Sequence, residues 1–148
     1  MTKEGPAKRV DGTFWRGRLE RARSFHDAAR TVMELADRSK DAGAAESNMI
    51  LAAVAYADAL TAAIDGVVNQ KSHQGVIKAV RAALNEGFPR AQETHLVALI
   101  TKKDEVQYGA RYVRHTDAEA MAEHLNAFAE FVETELNRRS PGATVDAG

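Results

Sequence analysis

"ESNMILAAVAYADALTAAIDGVV", residues 46–68, is the stretch that decides the fold. Apolar side chains cover most of its helical circumference, so it reads as a helix enclosed by other elements rather than one with a broad wet face. Its many alanines let neighbouring backbones come close. The polar positions Asn48, Asp58, Asp65 and, just beyond, Asn69 fall on one narrow stripe, which reads as a line facing solvent or an interface. Asp58 and Asp65 stand seven apart and could share a cation, but the Glu-x-x-His partners of di-iron bundles are missing, so no metal is expected. The same two aspartates argue against a membrane span, although this is the longest apolar stretch in the chain.

The rest of the sequence supplies what would surround that helix. Residues 13–38 predict a first helix, with Trp15, Leu19, Ala22, Phe25, Ala29, Val32, Met33 and Ala36 on one face and Arg16, Arg18, Arg21, Arg23 and Arg30 mostly on the others. Gly43 is its expected terminator. After the polar connector "NQKSHQG", Val76, Ile77, Val80, Ala83 and Leu84 predict a short helix ended by Gly87. Pro89 suits the first turn of the next helix. Its apolar spacing runs from Leu96 through Leu99, Ile100, Val106 and Ala110 to Val113, with Gly109 as the weak point. "TDAE", residues 116–119, is a capping box that opens a last helix. There Met121, Leu125, Phe128, Val132 and Leu136 form the apolar stripe, and Arg138 and Arg139 favour the carboxyl end of the helix dipole. The expectation is an all-α fold, an antiparallel four-helix bundle with an additional short helix over 14–139, between loose polar tails at 1–13 and 140–148.

At 148 residues the chain suits one domain with a real core. The absence of cysteine removes disulfides, thiolate chemistry and cysteine-held metal centres. The first fourteen residues lack an apolar signal core, so a cytoplasmic location is expected, with no membrane attachment. The formal net charge is -1, but the charges are uneven. Residues 71–115 hold eight Lys/Arg against four Asp/Glu, residues 1–30 the same, and residues 116–148 two against seven. A polyanion would meet the middle or the amino end.

No phosphate-binding glycine loop, His-Glu-x-x-His or Gly-x-Ser-x-Gly is present, which removes the best-known NTPase, zincin and α/β-hydrolase patterns. The five histidines are scattered, so a metal site would have to assemble across helices. His26 and His124 lie beside apolar stripes and read as packed side chains, and His73 reads as a local structural residue of its connector or as part of a ligand site. The densest chemistry is "KKDEVQYGARYVRH", residues 102–115. On a continuous helix Tyr108 and Tyr112 would share a face, flanked by Arg111, Arg114 and His115, with rings to stack a base and guanidinium groups to hold phosphate. The alternative is that the tyrosines cover the bundle edge and the arginines are solvated. Arg111 and His115, also four apart, are the candidate catalytic pair, whereas Arg90 and His95 read as a coincidence of spacing.

"FHDAARTVMELADRSKDAGAAESNMILAAVAYADALTAA", then "KSHQGVIKAVRAAL", then "KKDEVQYG" together resemble the HEPN family, the higher eukaryote and prokaryote nucleotide-binding helical domains. The resemblance spans about residues 14–138. It implies a helical bundle that pairs as a homodimer. Many active members are metal-independent ribonucleases that use an arginine, four to six intervening residues and a histidine. A histidine can move the ribose 2′-OH proton, and an arginine can hold the phosphate. At the aligned place this chain has Lys103, then residues 104–107, then Tyr108. A tyrosine of ordinary pKa, about 10, is a poor base at neutral pH. What the resemblance implies is therefore a nucleotide-, RNA- or partner-binding module without efficient catalysis. Lys103, Tyr108, Arg111, Tyr112, Arg114, His115 and His73 are its candidate contacts, and it needs no cofactor. The alternatives are a ribonuclease, such as the toxin partner of a nucleotidyltransferase-like antitoxin, and a structural interaction bundle.

Overall fold

The computed structural model describes residues 8–69, 73–102 and 112–139. Among them the chain is mostly helical: α1 (Phe14–Leu35), α2 (Gly43–Asp65), α3 (His73–Leu84), α4 (Arg90–Ile100) and α5 (His115–Arg139). Two short strands, β1 (Lys8–Arg9) and β2 (Val67–Val68), pair antiparallel, with Lys8 opposite Val68 and Arg9 opposite Val67. The chain expected to be a loose tail over 1–13 is thus anchored from Lys8 onward. Val10 N–H extends the pairing by donating to Gly66 C=O.

The apolar circumference of α2 is spent in the core. Every residue from 52 to 62 except Val54 is buried, and α2 touches α1, α3, α4 and α5. α1 makes the most extensive of these contacts. Trp15, Leu19, Ala22 and Ala29 are its buried residues. By length and composition α2 could cross a membrane, but 67% of its apolar window is buried inside the protein. α5 packs against α2 and α4, and its predicted stripe, Met121, Leu125, Phe128, Val132 and Leu136, is buried throughout.

Several boundaries differ from the sequence reading, each for a local reason. α1 stops at Leu35, where Ala36 turns extended. Gly43 begins α2 instead of ending α1: its N–H donates to Asp41 Oδ2 at 3.0 Å, and a Cβ there would stand 2.8 Å from that oxygen. The true glycine terminator is Gly66, at φ +70 with its N–H on Ala62 C=O. α4 ends at Ile100, and residues 112–114 are not helical. Val113 cannot extend a helix, because its N–H donates to Asp41 Oδ1 at 2.6 Å and its C=O accepts Ala42 N–H at 2.8 Å. At the start of α5 the acid that reaches back is Asp117, whose Oδ2 accepts Arg114 N–H at 3.3 Å. Glu119, the expected partner in the capping box, instead meets Arg38 at 3.0 Å.

The polar stripe on α2 faces solvent at Asp65 but is covered by α1 at Asp58. Asp58 is 8% exposed and accepts from Arg18 of α1 at 3.0 Å. Burial pushes its carboxyl up to about 6 even though the Arg18 charge and hydrogen bond pull it down. Asp65, the last residue of the helix, is exposed. Asn48 turns its amide onto Ala44 C=O, its own helix.

Two stability outcomes follow from these contacts. Asp41→Ala removes both acceptors that join the start of α2 to Val113, and urea unfolding should show a loss of about 1–3 kcal/mol. For Asp58, a carboxyl pKa raised in the folded state stabilises below its unfolded value of 3.8, and that stability is lost as pH rises through about 6. Asp58→Asn should therefore gain on the native protein between pH 4 and pH 8, by up to about 3 kcal/mol for a shift of roughly two units. A constant difference across that range would contradict the assignment.

Candidate functional site

The segment expected to carry the chemistry divides at α5. Lys103, Tyr108 and Arg111 lie outside the described residues, as does the connector 70–72; of His73 the backbone is described, as the first residue of α3. Tyr112 is 51% exposed and donates its hydroxyl to Ser39 C=O at 2.9 Å, which pins the ring over the chain between α1 and α2. Arg114 is exposed and pairs with Asp117 at 3.3 Å. His115 is buried at the first turn of α5, with neither ring nitrogen open to solvent or hydrogen-bonded. Its Nδ1 stands 3.4 Å from the Glu119 carboxylate. Residues 112–114 are not helical, so Tyr112 and Arg114 stand on no helical face, and the Arg111 and Tyr108 members of the two expected pairs lie outside the described residues. Arg90 and His95 also part company. Arg90 borders a shallow hollow with Glu93, Thr94 and Val97, while His95 turns toward α5.

Two clusters that spacing did not announce are built between helices. In the first, His26 of α1 bridges α2 and α5: its Nδ1 is 2.9 Å from Tyr56 Oη, and its Nε2 is 2.8 Å from Asn126 Oδ1. The assignment that leaves the ring uncharged has the Tyr56 O–H donating to Nδ1 and Nε2–H donating to the amide oxygen. Tyr56 suits the donor role, since burial, with the nearby Glu133 charge, pushes its phenol up to about 12. Beside His26 opens a cavity of about 190 Å³ between α1, α2 and α5. Its walls are Ala29, Met33, Met49, Ala122 and Leu125, and its rim carries His26, Arg30, Glu34, Glu119 and Asn126. The sequence hid this site because the partners of His26 are 30 and 100 residues away.

In the second cluster His95 of α4 and His124 of α5 bring their Nδ1 atoms to 2.9 Å, with ring centroids 5.2 Å apart. At that distance one nitrogen must donate and the other accept, so the pair holds when at least one ring is neutral. Among the described residues no three His, Cys, Asp or Glu side chains gather around one position that could hold a metal ion.

Basic residues of the middle segment also reach the surface on α3 and α4. Lys78 and Arg81 border a wide, open hollow with Asn85 and Glu86, and Arg81 is tied to Glu93. An exposed ion pair of that kind contributes little and yields readily to a phosphate.

Desolvation, reinforced by the neighbouring His124, holds His95 below the ordinary histidine value of 6.5. A histidine with a depressed folded-state pKa contributes stability above 6.5 that is lost as pH falls through the folded value. Relative to His95→Gln, the native protein should therefore lose stability in urea unfolding as pH falls below about 6.5; Asp58 slopes the opposite way in that range, so the difference between each variant and the native protein isolates its own group. Comparison of the chain with protein-family models, with curated proteins and with solved structures finds no match in any of the three.

Proposed function

We propose that the chain is an HEPN-like four-helix bundle, cytosolic and homodimeric, that binds RNA, a nucleotide or a protein partner through residues 102–115 and does not cleave RNA efficiently. The order of elements supports the family reading: a long α1, a core α2, a short α3 that begins at the histidine of "KSHQG", and a long closing α5. The observation that carries the choice of binding over cleavage is the burial of His115, at 7% exposed. A general base must reach the ribose hydroxyl directly or through one water, and an imidazole with both nitrogens shut from solvent does not.

What faces outward suits contact instead. The half-exposed ring of Tyr112 is held in place by its hydroxyl, so a base stacking on it meets a surface whose ordering cost is already met. Arg114 beside it is exposed, and its bond to Asp117 is a surface pair that a phosphate could displace. Lys103, Tyr108 and Arg111 belong to the same stretch of sequence.

The test is fluorescence anisotropy with labelled single-stranded RNA, run beside a cleavage gel in EDTA. Tyr112→Ala should weaken binding about 5- to 100-fold, as expected for loss of one stacking platform worth roughly 1–3 kcal/mol. Arg114→Ala should lower the slope of binding against salt by about one phosphate contact. RNA fragments that disappear in His115→Ala would replace this reading with an Arg/His ribonuclease. Neither binding nor cleavage would leave a protein partner as the ligand.

A further inference from the structure

We propose that the cavity between α1, α2 and α5 is a binding site for a small organic amine, a flat apolar body of about benzene size carrying one ammonium group. At about 190 Å³ the space is somewhat larger than the roughly 150 Å³ cavity that accepts benzene, and smaller than the roughly 300 Å³ at which drug-sized sites begin. A mononucleotide does not fit, so this site is separate from the surface proposed for RNA.

The walls choose the body of the ligand. Met33 and Met49 face the space together with Ala29, Ala122 and Leu125. Two thioethers over small aliphatic walls favour a flat ring, through sulfur–aromatic contact and because methionine adapts its shape.

The rim chooses the charge. Arg30 is held by Asp27 at 2.7 Å, and His26 and Asn126 hold each other. Glu119 meets Arg38 at 3.0 Å. Glu34 has no ion pair and no hydrogen bond among the described residues, although it lines the same opening. Two carboxylates and one already paired guanidinium leave the mouth net negative. An ammonium entering between Glu34 and Glu119 would gain two charge-assisted hydrogen bonds, while a carboxylate or phosphate would be repelled. The Tyr56–His26–Asn126 chain fixes one side of the rim and ties the three helices together there.

Isothermal titration of the full chain with 2-phenylethylamine, and with 3-phenylpropionate as the oppositely charged analogue, tests the assignment. The amine should bind with a Kd of about 1 mM or tighter, and the acid at least about tenfold more weakly. Glu34→Gln should lose about tenfold or more in amine affinity with an unchanged circular dichroism spectrum. Ala122→Phe, which fills the cavity, should abolish binding; should that variant not fold, Glu34→Gln alone still decides. The proposal is overturned by an amine that does not bind at several millimolar, by equal binding of amine and acid, or by amine binding that Glu34→Gln leaves untouched.

Discussion

Enclosing α2 on nearly every side imposes a condition on each polar atom it carries. A helix whose middle turns are buried all round cannot send an aspartate or a tyrosine to water, so each must find a partner on a neighbour. Asp58 finds Arg18, and Tyr56 finds His26. Both partners come from α1, which explains why α1 can carry arginines and a histidine on the edge of its apolar stripe and still make the most extensive contact with α2. The alanines of α2 bring the backbones near enough for these side chains to meet, so small residues and polar pairs are two sides of one constraint.

The seam between α1, with the chain just past its end, and α5 is joined by polar contacts spaced along it. Arg38, past the end of α1, meets Glu119, His26 meets Asn126, and Arg23 forms a two-pronged pair with Glu133 at 2.6 and 2.8 Å. Exposed pairs of this kind add little stability, but their geometry sets how the two helices lie relative to each other. Between the first two contacts the facing side chains are Ala29, Ala122 and the two methionines, too small or too pliable to close the gap. The cavity is what remains when polar spacers fix a distance that the apolar residues do not fill.

How much of this was legible in the sequence depended on how local the cause was. The stripe of α5 and the enclosure of α2 follow from periodicity within one segment, and both are seen. The burial of Asp58 was not legible, because periodicity places a residue on a face without saying what covers it, and the covering arginine is 40 residues away. Gly43 reads as a helix terminator by residue type, but Asp41 makes it a beginning, and nothing in the spacing tells a glycine before a helix from one after it. The expected run of α4 toward Val113 failed for a similar reason: Val113 has the right apolar character, but both its backbone groups are bound to the chain that leads into α2. Of the candidate site, residue types in 102–115 were readable, whereas the burial of His115 required knowing that α5 starts at that residue and turns it inward.

The same crossing point bears on how the surface over α5 is presented. Asp41 accepts from both Gly43 and Val113, Ala42 donates to Val113, and Tyr112 donates to Ser39, so residues 39–43 and 112–113 form one hydrogen-bonded junction. Along this non-helical stretch Tyr112 and Arg114 are exposed while Val113 packs against the core. His115 follows as the first helical residue and is carried inward beside Glu119, one turn along. Asp41 therefore governs more than the start of α2. By holding Val113 out of a helix, it bears on which side chains of the basic segment stand available to a ligand and which one is sealed.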